Sequence, residues 1–316
     1  MHFKDGFMKL FDLHCDTLFE LDKSSLDLSC SNLAVSLDGM QKYDKIVRCF
    51  AIYTPDTLKG SKARAHLENL YRVFQNQLAI NTDQITHIKD VENLEKAHIG
   101  AVLTVEHGSV TAGDLKMIER LSQMGVKLFS LTWNGENELG FGQLKNNGLK
   151  PFGKECVREL ERSGIIIDVS HLSDRGFDDV CALSKKPFIA SHSNARRICP
   201  HKRNLLDEQI KEIIARGGLI GLNFYKGFLN KNFDLSTKYD IIRHAEHILS
   251  LGGENCLSIG TDFDGAEVIE EYDSDYRLIC LENLFLQNGF SKQITDKILF
   301  DNAYNFFVNN FKEVQK

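Results

Sequence analysis

Eight short apolar runs recur along this chain, at Met8–His14, Ile46–Ile52, Ile99–Val105, Val126–Thr132, Gly164–Ser170, Pro187–Ser191, Gly218–Asn223 and Cys256–Thr261. Each is too short for a helix. Nearly all are continuously apolar rather than alternating, which is the pattern of strands buried on both faces of a parallel sheet. Helical patterns with usable caps lie between most of them: Ser173 before Asp174–Leu183, Asp207 before Glu208–Ala215 with Gly217 after it, and Tyr239–Leu251 closed by Gly252. The link between the second and third runs is longer, with a helical stretch at Lys62–Ala79 and room for a short extra strand. Eight β units with intervening helices predict an α/β fold, a closed (β/α)8 barrel of the TIM type. The helical remainder, Arg277 to Lys316, is expected to pack outside the barrel or at a subunit contact.

A chain of 316 residues, 42% hydrophobic and 26% charged, suffices for one such barrel, and no repeat, low-complexity tract or Pro-rich hinge divides it. A single domain over 1–316 is therefore expected. The formal net charge of −6 gives no reason to expect nucleic acid or an anionic membrane surface, which leaves small molecules as partners. The cysteines, Cys15, Cys30, Cys49, Cys156, Cys181, Cys199, Cys256 and Cys280, include no C-x-x-C pair and read as reduced core residues of a cytoplasmic protein. Met1 to Phe11 carries no apolar export signal, and no stretch reaches the ~18 apolar residues of a membrane span.

In parallel α/β folds chemistry sits at the carboxyl ends of strands, and here those ends carry imidazoles and carboxylates. The first run ends Phe-Asp-Leu-His14-Cys-Asp16, and residues i and i+2 of a strand share a face. The third ends at Glu106, the fifth at His171, the sixth at His192 and the eighth at Asp262. Each alone has an ordinary structural explanation. Together they put three imidazoles and three carboxylates on one rim, a donor set suited to zinc or a similar ion. Five candidate ligands, His14, Asp16, Glu106, His171 and His192, exceed one open tetrahedral ion and suit two ions about 3.5–4 Å apart, sharing a bridging carboxylate and a water. Asp262 then remains free as a proton shuttle.

The order His14-x-Asp16, Glu106, Asp-Val-Ser-His171, Ser-His192-Ser, Arg203-Asn204, Asn-Phe-Tyr225 and Gly-Thr-Asp262-Phe-Asp-Gly resembles the membrane (renal) dipeptidase family of amidohydrolase-type barrels, over about His14 to Gly265. The resemblance implies two zinc ions: His14 and Asp16 on one, His171 and His192 on the other, Glu106 and a water or hydroxide bridging. It further implies that Arg203 receives the substrate's C-terminal carboxylate, that Tyr225 lines the pocket and that Asp262 is the acid/base. The sequence departs from the family pattern twice. Trp133-Asn134 stands where mammalian members carry a histidine that contacts the substrate carbonyl region, so Asn134 or the metals are expected to cover that role, with Trp133 a substrate contact or a rim residue. His107 stands where a glycine usually follows the glutamate, and is read as a bystander because adjacent strand residues face opposite ways. His244 and His247, at i and i+3 of a helix, are read as structural.

The expected activity is hydrolysis of dipeptides with a free C-terminal carboxylate, including those with a C-terminal D-residue. Two alternatives stay open: another hydrolase of this barrel type, acting on a lactone, cyclic amide or N-acyl amino acid, and a metal-free binding protein. A homodimer is compatible with the sequence.

Overall fold

The computed structural model describes residues 8–24, 26–29 and 32–314. Cys30, the stretch 1–7 of the N-terminus expected to carry no export signal, and residues 315–316 of the expected helical remainder lie outside the described residues. Eight strands form: β1 Lys9–Cys15, β2 Lys45–Tyr53, β3 Ile85–His87, β4 Ile99–Glu106, β5 Val126–Ser130, β6 Ile166–Asp168, β7 Ile220–Leu222 and β8 Leu257–Ile259. They pair in parallel in the order β6-β5-β4-β2-β1-β8-β7, with β3 as a side branch on β4. β3 is the short extra strand in the long link.

The sixth expected strand, Pro187–Ser191, is not a strand but two single parallel bridges, Asp168 to Ile189 and Ala190 to Ile220. These bridges join β6 to β7 and complete the ring, giving the (β/α)8 barrel with one position reduced. The backbone there is used as a barrel strand uses it. Ile189 N–H donates to Ile167 (3.0 Å) and Ala190 N–H to Leu219 (2.9 Å). The ladder stops because Pro187 has no N–H and the Ser191 N–H turns to the Asp168 carboxylate at 2.9 Å. A Cβ at either Gly221 or Gly260 would come within 1.9 Å of the Ser191 carbonyl, so only glycine lets the neighbouring backbones close on this position.

Register sets the level of the rim. Tyr53 pairs with Glu106, Glu106 with Ser130 and Ser130 with Asp168, so four strand-end residues form one row across β2, β4, β5 and β6. In β1 the register with β2 shifts between Asp12 and Cys15, where His14 lies.

The helices follow their sequence signals to within about a residue, except that Asp207, expected as a cap, is the first residue of the helix Asp207–Ala215 and Leu206 holds the cap position. Ser61–Ile80 leads from β2 towards β3, Asp174–Leu183 is capped by the Ser173 side chain, and Lys238–Ser250 ends before Gly252 at φ 97°. The C-terminal segment is a series of short helices ending in Asn302–Val314. It covers the end of the barrel where the strands begin. Phe300, Phe306, Phe307 and Phe311 join one apolar cluster with Phe11, Val47, Val102, Leu128, Ile166, Ile189 and Leu219, which come from nearly every ring position. The other end stays open for chemistry.

Candidate metal centre and cavity

The turns that follow the strands are tight, and several of their residues sit at positive φ: His107 at 90°, His171 at 69°, Asp262 at 64° and Asp264 at 63°. Left-handed backbone costs about 1–3 kcal/mol at a non-glycine residue and concentrates where side chains must be aimed. His171 and Asp262 are two of the six residues expected at the rim.

All six come together. His14 Nε2 lies 3.4 Å from Asp16 Oδ2, 3.7 Å from Glu106 Oε2 and 3.8 Å from Asp262 Oδ1. The other oxygen of Glu106, Oε1, lies 2.9 Å from His171 Nε2 and 3.7 Å from His192 Nε2. Thus one carboxylate turns one oxygen to His14 and the other to the histidine pair, which is the disposition a bridging ligand needs. Within this arrangement, the donor atoms of His14, Glu106 and His192, and those of His14, Asp16 and Asp262, each fall within 4.8 Å of one another.

The hydrogen-bond network tests whether cations fit. Ser191 Oγ–H donates to Asp168 Oδ2 (2.7 Å), so the same oxygen accepts from His192 Nδ1–H (2.7 Å). Asn134 Oδ1 accepts from His171 Nδ1–H (3.0 Å) and from Gln143 Nε2 (3.3 Å). Both rings therefore carry their proton on Nδ1, and burial lowers both pKa values, keeping them neutral. Their Nε2 lone pairs then face each other at 2.9 Å, an arrangement that a shared cation would relieve. His14 Nε2 and Asp16 Oδ1 are buried without a hydrogen-bond partner. Burial opposes charge on His14, but Glu106, Asp16 and Asp262 outweigh it and lift its pKa to about 10. Burial, with Asp16 next, raises Glu106 well above the usual carboxylate range. Three imidazoles and three carboxylates thus crowd one buried site in which two polar atoms go unpartnered, and this donor set fits a divalent metal.

Asp262 is buried and its pKa is raised by that burial. Asn223 Nδ2 donates to its Oδ2 at 2.9 Å. Nearby, a Cβ on Gly265 would come 1.9 Å from Asp16 Oδ2, so any larger residue there would push the Asp16 carboxylate aside. His107 faces away from the cluster, its Nδ1 bonded to the Thr54 carbonyl at 2.8 Å and its Nε2 3.6 Å from Asp56. His244 is buried between the Ala195 N–H (3.1 Å) and the Leu229 carbonyl (3.0 Å), and His247 binds Asp207 (2.8 Å), both structural arrangements.

A cavity of about 570 Å³ opens over the cluster. Asp16, Glu106, His171 and Asp262 lie on its floor; Arg203, Tyr225 and Phe228 line one part, Phe19, Tyr53 and Trp133 another, and Asn134 also reaches it. Arg203 is 4% exposed. Its guanidinium bonds Ser193 Oγ and the His192 carbonyl at 3.3 Å each, stacks over Phe228 and leaves Nε unpartnered. Burial lowers its pKa to about 10, which leaves it cationic at neutral pH. Among the described residues no carboxylate lies within ion-pair distance of it.

Sequence reasoning passed over Asp168 and Ser191, which orient His192, and Asn223, which orients Asp262; all three stand inside the motifs Asp-Val-Ser-His171, Ser-His192 and Asn-Phe-Tyr225. It also passed over a second buried cluster, in which Arg48 joins Asp12 of β1 to Asp275 beyond β8. Asp12 Oδ1 in turn accepts from the backbone N–H of Thr261 at 2.9 Å.

The model of the membrane dipeptidase family (peptidase family M19) matches residues 6–314. An uncharacterized Klebsiella pneumoniae protein encoded in a pqqA 5′ region is 28% identical over 73% of this chain and 93% of its own length. An uncharacterized dipeptidase of Schizosaccharomyces pombe is 33% identical over 53% of this chain, which spans only 42% of that relative. Among solved structures, a metallo peptidase described as dipeptidase AC superposes with a TM-score of 0.91 at 23% identity, covering 97% of this chain and 99% of the other. A Rhodobacter sphaeroides metallo peptidase, liganded with a phosphinate mimic of the dipeptide L-Ala-D-Ala, superposes at 0.90 with 22% identity, over 96% and 99%. At these identities the superpositions establish the shared fold.

Proposed function

This chain belongs to the membrane dipeptidase family, peptidase family M19, and is a metal-dependent hydrolase of it; on that premise we propose a single-domain zinc dipeptidase that cleaves dipeptides with a free C-terminal carboxylate, D-residues at that position included. The observation that carries this reading is the buried Arg203 guanidinium, with no carboxylate at ion-pair distance among the described residues, in the same cavity as the imidazole–carboxylate cluster. One pocket thus offers an anchor for a substrate carboxylate beside a place for cations. The D-residue and dipeptide elements are supported by the phosphinate mimic of L-Ala-D-Ala that the Rhodobacter relative binds.

His14 and Asp16 would hold one ion, His171 and His192 the other, and Glu106 would bridge them, with zinc the ion that mixed imidazole and carboxylate donors suit. When bound, such a pair would supply charge stabilisation for a developing oxyanion and would lower the pKa of a bound water to near neutrality, making hydroxide available. The protein's own groups do the rest. Arg203 takes the carboxylate through parallel N–H donors and limits the substrate's length at that end. Tyr225 and Trp133 wall the pocket. Asp262, held by Asn223, accepts the proton of the attacking water and returns it to the departing amine, a task suited to a carboxyl whose pKa burial has raised. Ser191 and Asn134 keep the Nε2 lone pairs of His192 and His171 pointed at the ion positions.

The test is metal analysis of the purified protein, followed by assays of L,L and L,D dipeptides, their C-terminal amides and an N-acetylated dipeptide. Two equivalents of zinc, with turnover of free-carboxylate dipeptides well above that of the amides, is the expected result. Faster turnover of the N-acetylated compound would instead favour an N-acyl amino acid hydrolase, and a protein that takes up no metal would be a binding protein. A location in the cytoplasm is part of the same proposal; among the described residues no helix is long and apolar enough to cross a membrane.

A further inference from the structure

We propose that the wall formed by Phe19, Tyr53 and Trp133 selects the residue on the amino side of the scissile bond, favouring a large apolar or aromatic side chain there. The inference rests on the dipeptidase reading of the site. With the substrate carboxylate on Arg203 and the scissile carbonyl over the metal ligands, the side chain of the amino-terminal residue falls to the part of the cavity away from Arg203.

Three aromatic rings from separate elements meet there. Phe19 lies in the helix Thr17–Ser24 that begins one residue after Asp16, Tyr53 ends β2, and Trp133 follows β5. Phe19 and Tyr53 pack edge to face at 5.2 Å and 88°, Tyr53 and Trp133 at 5.1 Å and 69°, and Trp133 stands 6.1 Å from the His171 ring. Such packing locks each ring through its neighbour. All three line the cavity and all three remain only half-buried, so a ligand could cover them further.

The other aromatic group of the cavity offers less. The Phe228 face already carries the Arg203 guanidinium at 5.1 Å, and His201 and Tyr225 each pack on that ring at 4.7 Å. Charge argues the same way. Glu20, the acid nearest the first wall in sequence, is paired with Lys23 at 2.7 Å, and Lys23 also sits over the Phe19 ring at 5.0 Å. The other acid of that helix, Asp22, accepts from Asn69 Nδ2 at 2.7 Å, so both acids on Phe19's helix are already engaged. Trp133 contributes apolar area to the same wall.

Covering one large apolar side chain is worth enough to change kcat/KM roughly ten- to hundredfold. The experiment measures kcat/KM of the zinc-loaded protein for Phe-Ala, Ala-Ala and Ala-Phe. Phe-Ala should exceed Ala-Ala by at least about tenfold, Ala-Phe should gain less, and the Phe-Ala/Ala-Ala ratio should fall roughly tenfold in Phe19→Ala and in Trp133→Ala. Phe19→Leu and Trp133→Leu, which keep apolar packing, should give intermediate ratios and guard against loss of folding in the alanine variants. Equal rates for Phe-Ala and Ala-Ala, or a ratio that survives all four substitutions, would overturn the wall while leaving dipeptide hydrolysis standing. Absence of turnover on every dipeptide, with metal bound, would overturn both.

Discussion

Asn134 illustrates how much of this site is decided by single hydrogen bonds. Its carbonyl oxygen accepts from His171 Nδ1–H and from Gln143, so it fixes a tautomer, where the sequence suggested a donor to the substrate carbonyl. Removing an orienting partner of this kind typically costs 10–100-fold in metal affinity. Asn134→Ala should therefore weaken zinc binding by about that factor in chelator competition, and Asn134→Asp, which keeps an acceptor, should lose less. A variant with unchanged zinc affinity but a much lower kcat would return Asn134 to the role of oxyanion donor. Asp262 poses the related question, because its Oδ1 is almost as close to His14 as Asp16 is, 3.8 Å against 3.4 Å. As a proton shuttle, Asp262→Asn should lower kcat by about 10²–10⁴-fold with both metals retained. Loss of one metal equivalent would make it a ligand.

Between elements, the most consequential contact is the buried Asp12–Arg48–Asp275 cluster. It ties β1 to β2 and both to the segment after β8, and Asp275 also receives the Ser36 N–H at 3.2 Å. Arg48→Met would strand two buried carboxylates, a change that costs about 3–5 kcal/mol when one partner of a buried ion pair is removed. The pH dependence has a definite sign. Burial raises the Asp275 pKa to about 6, while Arg48 pulls it down. An acid whose folded pKa exceeds its unfolded value near 3.8 binds more protons when folded, so its contribution is fullest below that value and is lost as pH rises through about 6. Without Arg48 the folded pKa moves higher still. In urea unfolding of the metal-free proteins, the deficit of Arg48→Met should shrink as pH falls from 7 to 5; a constant deficit would mean that the lost stability is packing alone.

The whole molecule divides its labour between two ends. The rim holds the polar site on strained turns, and the opposite end is closed by the C-terminal helix, whose Phe307 is fully buried and stacks on Phe11 at 4.9 Å. Phe307→Ala should cost about 3–5 kcal/mol, the usual loss for a buried aromatic ring. Because the barrel lies between this ring and the rim, zinc content and kcat of the protein that remains folded should change little. A selective fall in kcat at full metal occupancy would show that the two ends are coupled.

What the sequence alone determined follows from short-range rules. A strand's apolar run, its length and the residue at its end are local properties, so the barrel and the levels of His14, Asp16, Glu106, His171, His192 and Asp262 were legible before any coordinates. The sixth strand was over-read for the same reason: the pattern at Pro187–Ser191 is that of a strand, but its pairing is settled by Pro187 and by the Asp168 carboxylate from a neighbouring strand. Tertiary structure alone decided which polar groups meet. Asn134 finds His171 across 37 positions, Arg48 finds Asp275 across 227, and Phe19, Tyr53 and Trp133 form a wall only because the ends of β1, β2 and β5 lie on one rim. No periodicity encodes such meetings, since they depend on where closing the ring brings the strand ends and on how tightly each turn is wound.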